Sequence, residues 1–134
     1  MLTRSLALAT LITLAACAGP GRDAHRERAD MQAAPLMPAM SRHLDSVTAT
    51  PALLQRGLSA HAERVHDLME AMHADMTRIG MHSDPAYEAL ADSTVSDLKA
   101  MEQASGAEYD RLAAAHIAHV RRLMSAYESK IAPH

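Results

Sequence analysis

The chain has no phenylalanine and no tryptophan, three tyrosines, one cysteine and five glycines in 134 residues. A single cysteine excludes an internal disulfide. Without large aromatic side chains the core must be filled by Leu, Met, Ala, Val, Ile and the tyrosines, which lets helices approach closely and leaves the packing adaptable. No stretch reads as a strand with alternating polarity, no segment repeats, and no glycine-rich phosphate loop or nucleophile elbow is present. The longest apolar run, near the N-terminus, is much shorter than the ~20 residues that span a bilayer. There is also no excess of positive charge: 13 Lys and Arg stand against 16 Asp and Glu, a net of −3, which disfavours nucleic acid as a partner.

Histidine and helical periodicity are what the chain has in quantity. From Pro51 to Gly80 the residues Leu54, Leu58, His61, Val65, Leu68, Met72, Met76 and Ile79 recur at spacings of three and four. That pattern predicts one amphipathic helix, roughly 45 Å long at 1.5 Å per residue. Thr50 is read as its N-cap, Pro51 as its first residue and Gly80 as its left-handed stop. Met40, Leu44 and Val47 predict a short first helix over 39–49. Asp84-Pro85 opens a third, with Tyr87, Leu90, Ala91, Thr94, Leu98 and Met101 on its apolar face. Ser105-Gly106-Ala107-Glu108 has the S-x-x-E form of a capping box and opens the last helix. That helix carries Tyr109, Ala113, His116, Ile117, Val120, Leu123, Met124, Tyr127 and Ile131 as its inner stripe. The expected fold is all-α: a small up-down bundle of three longer helices plus a short first one, occupying 39–134. Dimerisation would cover any apolar surface left over.

The N-terminal 38 residues read differently. Met1 to Arg4 is a short basic start, Ser5 to Leu14 is mostly apolar, and Leu14-Ala15-Ala16-Cys17 follows. This resembles the lipobox of bacterial lipoprotein signal peptides. The resemblance implies that residues 1–16 are removed and that Cys17 carries a diacylglycerol thioether and an N-acyl chain such as palmitate. The simpler alternative is an ordinary secretory signal with a cysteine near the cut. Removal of 1–16 takes away Arg4 and no acid, so 12 basic residues face 16 acidic ones, a net of −4. Ala18 follows the cysteine where an aspartate would imply retention at the inner membrane, so the resemblance implies the outer membrane, facing the periplasm. Residues 17–38, with Gly19, Pro20, Gly21, Pro35 and Pro38, read as the lipidated cysteine and a tether. The membrane, through lipid, is the first partner implied; envelope proteins or a second copy are further ones.

Nine histidines raise the question of metal. On the long helix His61 falls well inside the buried face, and His66 and His73 lie at its edge with Met69 between them and its centre. On the last helix His116 is inside the stripe and His119 on its flank. Counting rises through the turns sets His116 and His119 opposite approximately residues 69–73. A Cu or Zn site made from His66, Met69, His73, His116 and His119 is therefore the candidate, imidazole suiting both ions and thioether suiting Cu(I). The competing reading makes Met ordinary core filler and the histidines ordinary helix-boundary residues. A di-iron centre is disfavoured although Glu63-Arg64-Val65-His66 and Glu70-Ala71-Met72-His73 both match Glu-x-x-His, because both copies lie on one helix with their glutamates outward. The stretch SGAEYDRL at 105–112 resembles the start of a helix in uncharacterised ferritin-like periplasmic bundle families; the resemblance implies a helical fold and assigns no ligand. No catalytic residue is identified. The expected function is a non-catalytic binding or interaction role at the membrane, with transition-metal binding or sensing as the alternative.

Overall fold

A computed structural model describes residues 30–81 and 84–132. The signal segment 1–16, Cys17, the tether as far as residue 29, His82, Ser83 and residues 133–134 lie outside the described residues. The described chain is all-α, with five helices: α1 Leu36–Ala49, α2 Pro51–Arg56, α3 Leu58–Arg78, α4 Pro85–Gln103 and α5 Gly106–Ile131. Helices α4 and α5, joined by the two residues Ala104 and Ser105, form the most extensive pair, and α1 lies across α3 and α5.

The long run expected over 51–80 is interrupted at Gly57, whose φ of −111° and ψ of 23° leave the helical region. Hydrogen bonds continue on both sides, from Gly57 N–H to Leu53 and from His61 N–H to the Gly57 carbonyl at 3.0 and 2.9 Å. Glycine, with the highest backbone freedom, is where a helix yields most cheaply when its two halves pack on different neighbours. The end of α3 follows the expected stop. Gly80 has φ +73°, Met81 N–H reaches the Met76 carbonyl at 2.9 Å and Gly80 N–H reaches Thr77 at 3.1 Å, the two bonds of a Schellman closure.

Two other starts differ from expectation in a way that local chemistry explains. Helix α1 begins at Leu36, three residues before 39, because Pro38 sits in the first turn, where its missing N–H needs no acceptor. Ser105 occupies the N-cap of α5 without making a side-chain cap bond, so the capping box is not closed; Gly106, at φ +58°, takes the chain through a left-handed residue instead. Thr50 likewise caps α2 by position only, whereas the Asp84 carboxylate does accept from Ala86 N–H at 2.7 Å and Tyr87 N–H at 3.3 Å.

The core divides into two apolar clusters. The larger joins Met37, Met40 and Leu44 of α1 to Val65, Leu68 and Met72 of α3, Tyr87 of α4, and Val120, Leu123 and Tyr127 of α5. The smaller contains Val47, Leu54, Met101, Tyr109 and Ala113. Residues 30–35, read from the sequence as tether, belong to the packed domain: Met31 and Ala33 are buried. The domain therefore starts before residue 39, held there by a group described next.

Candidate functional site

Asp75 is the first buried polar group whose partners matter. Its Oδ1 accepts the Gln32 N–H at 2.8 Å, and its Oδ2 accepts the Ala33 N–H at 2.9 Å and the Tyr127 hydroxyl at 2.7 Å. Arg78 stands at 3.9 Å from the same carboxylate. Side-chain oxygens that satisfy two consecutive backbone donors do what an N-cap does, but from a residue more than 40 positions away, and this is why residues 31–33 lie down on the bundle. The Tyr127 phenol is pushed well above its usual range by burial first and by Asp75 second. Nothing in the periodicity marks Asp75 as inward; it was absent from the predicted stripe.

A second polar layer lies between the two apolar clusters. His43 Nε2 is 2.8 Å from His61 Nδ1, and His61 Nε2 is 2.8 Å from His116 Nε2, so three rings from α1, α3 and α5 form one chain. The His61 and His116 rings meet edge to face with centroids 5.0 Å apart. His61 is 1% exposed and His116 fully buried. Beyond His116 comes Asp97 of α4, 3.8 Å from His116 Nδ1 and 2.6 Å from His119 Nδ1. The His116 Nδ1 atom is buried without a hydrogen-bond partner. Burial lowers the pKa of His61 to about 3, with the neighbouring His116, His43 and Arg64 charges adding to the effect. Burial likewise lowers His116 to about 4, with Asp97 and the Thr94 carbonyl opposing and His119 assisting. His43 is lowered by its partial burial and by Arg64. All three rings are held neutral near pH 7.

The five residues proposed from the sequence as a metal site are not brought together. His116 pairs with His61, and His119 with Asp97, whereas His66 and His73 are exposed on α3. His116 stands level with His61 instead of residues 69–73, a slip of about eight to twelve residues or roughly 12–18 Å. The turns at 79–84 and 104–105 set that register, and periodicity within a helix carries no information about them. His43, on the edge of the α1 stripe beside Leu44, was missed; His61 and His116, both centred in apolar stripes, were the legible signal that two inward histidines need partners.

His66, Met69 and His73 do share one place. With Glu70 and Ala74 of α3 and Tyr87, Glu88 and Ala91 of α4 they line an open groove of about 410 Å³. His66 Nε2 is 3.8 Å from Glu70 Oε1, both side chains largely exposed. Among the described residues, the ligand atoms of His66, Asp67 and Glu70 are the one trio of His and carboxylate groups lying within 4.8 Å of one another. The three rings of the buried chain do not meet that condition: they form a line in which His61 uses both nitrogens, a hydrogen-bonding arrangement and not a chelate. Glu63 and Glu70 are exposed, in keeping with the outward glutamates that disfavour di-iron chemistry.

No family model, curated protein or solved structure matches this chain. Among the described residues no helix is long and apolar enough to cross a membrane. Among the described residues the large apolar side chains left exposed are Leu36, Leu53, Ile79, Met81 and Val95, distributed over several elements and not gathered in one uncovered stripe.

Proposed function

We propose that the chain is a lipid-anchored, periplasm-facing lipoprotein of the outer membrane whose helical domain has a non-catalytic binding role, with the α3–α4 groove as the binding surface. The anchor rests on Leu14-Ala15-Ala16-Cys17. The binding role rests on the groove, a concave surface that mixes apolar walls with imidazole, thioether and carboxylate groups. Two acyl chains on one residue suffice for stable anchoring where a single chain is marginal. Cys17→Ala is expected to move the protein from the membrane fraction to the soluble one in detergent-free fractionation; unchanged retention would sink the lipobox reading. Photocrosslinking groups placed at Ala74 and Ala91, with Val95 as an off-groove control, test the groove: an envelope partner captured equally at all three positions removes its special status.

A second reading, transition-metal binding, is favoured by the approach of His66 to Glu70. His66, Glu70 and His73 occupy positions i, i+4 and i+7 of one helix and so share a face, with Met69 beside them. Imidazole and carboxylate suit Zn or Cu(II), and the thioether would favour Cu(I). His116 and His119 have no part in this set. Equilibrium dialysis with Cu and Zn should show binding that His66→Ala/His73→Ala abolishes; equal uptake by the wild type and the double variant would exclude the groove as the metal site.

A further inference from the structure

The buried imidazole chain is used by neither reading above, and its chemistry has a direction. A neutral imidazole has one donor nitrogen and one acceptor nitrogen. His116 Nδ1 has no hydrogen-bond partner but faces the Asp97 carboxylate at 3.8 Å, whose negative charge favours the proton on that nitrogen. Its Nε2 must then accept from His61 Nε2–H across 2.8 Å, and His61 Nδ1 must accept from His43 Nε2–H across 2.8 Å. The opposite sense would set a bare lone pair against that carboxylate. Asp97 on α4 thus orients a chain that ends on α1, leaving His43 Nδ1 as its open acceptor.

An oriented neutral chain tolerates one added proton at that open end and none further in. Both nitrogens of His61 are engaged, so a proton on Nδ1 puts two N–H groups into one 2.8 Å gap. The gap is relieved either by losing the α1 bond or by a tautomer change in His43 that leaves an imidazolium buried between two apolar clusters. A proton on His116 Nε2 meets the same obstacle at His61. The charged groups facing these rings add to it or offset it only in part: Arg64 opposes protonation of His43 and His61, His119 opposes that of His116, and Asp97 alone favours it.

What the chain holds is α1. This helix packs Met37, Met40, Leu44 and Val47 on the rest of the domain. Its polar attachments are the exposed Arg121–Asp45 pair at 2.9 Å and His43 to His61, and the segment just before it is held by Asp75 at the Gln32 and Ala33 amides. Of these, the His43–His61 link is the one that depends on a neutral imidazole. We propose that His43, His61, His116 and Asp97 form an acid-released clasp, which holds α1 on the bundle at neutral pH and frees it on acidification, baring the apolar face of α3 and α5.

Hydrogen exchange on the full chain, expressed as protection factors across pH 7 to 4.5, tests the clasp. Amides of 36–49 should lose about tenfold or more in protection over that range while those of 109–127 keep theirs. Filling the layer with apolar groups in a His43→Leu/His61→Leu/His116→Leu variant should keep α1 protected to the bottom of the range. If that variant does not fold, His61→Gln decides, since its amide still accepts from His43 and donates to His116 but cannot titrate; its α1 release should move to lower pH by about half a unit or more. Wild-type α1 protection that survives at pH 4.5, simultaneous loss in α1 and α5, or release at the same pH in the folded variants would each overturn the proposal, the last by assigning release to the carboxylates.

Discussion

At the scale of single residues, Asp75 shows how much one buried carboxylate can organise. It receives two amide hydrogens and a phenol at 2.7–2.9 Å, and those three bonds place Met31 and Ala33 on the core. Asn in its place keeps the shape but offers one acceptor oxygen and turns a donor toward the remaining partners. Hydrogen bonds to a charged group contribute about 1.5–3 kcal/mol each, and a buried donor left unpaired costs a further amount of similar size. Asp75→Asn should therefore lower the unfolding free energy by at least about 2 kcal/mol in urea titration, and should open the chain near residue 33 to protease before the rest of the domain. Tyr127→Phe, which removes one donor and leaves the carboxylate with the other two, should cost less, about 1.5 kcal/mol. Equal costs for the two substitutions would mean that the backbone amides are not held as described.

Among the elements, two neighbouring helix ends are made by different devices, one by glycine and one by side-chain capping. The closure of α3 needs Gly80 at φ +73°, and a Cβ built there meets nothing within 4 Å, so substitution strains the backbone without a clash. Gly80→Ala is expected to cost about 1–2 kcal/mol, the difference between an L-residue and glycine in the left-handed region, and to leave the fold unchanged. At the start of α4 the Asp84 carboxylate caps two amides and also pairs with Lys130 from the end of α5. Those contacts draw its pKa below the ordinary value, with the Lys130 hydrogen bond contributing most. Asp84→Ala removes both the cap and the Lys130 pair and should lower the melting temperature. Thermal melts of the two variants check both outcomes.

For the molecule as a whole, the polar layer predicts how stability follows pH. His61 and His116 have folded-state values of about 3 and about 4, below the 6.5 of a free histidine. The unfolded chain therefore binds protons that the folded chain refuses once the pH drops below 6.5. The stability contributed by neutral rings is complete above that value and is lost as the pH falls toward 4. The slope is up to about 1.4 kcal/mol per pH unit for each ring. Urea unfolding at pH 7 and pH 5 should differ by at least about 2 kcal/mol, and His61→Leu/His116→Leu should flatten the dependence. An unchanged slope in the folded double variant would place the acid sensitivity elsewhere.

What the sequence determined by itself is what neighbouring residues along one helix decide. Spacings of three and four marked the inner stripes, Asp84-Pro85 and Gly80 marked ends, and the all-α class followed from the lack of any strand pattern. The same periodicity placed His61 and His116 inside, and the bundle buries both. What only the tertiary structure decided is everything that depends on register between helices. The interruption at Gly57, the partnership of His116 with His61 and not with His73, the recruitment of His43, and the grip of Asp75 on residues 32 and 33 each join positions between 18 and 55 residues apart or answer to packing on different neighbours. A helix advances 1.5 Å per residue whatever lies beside it, so its pattern tells which face turns inward but not which level of the next helix that face will meet. That level is set by the turns and by the fit of the two apolar clusters around the histidine layer.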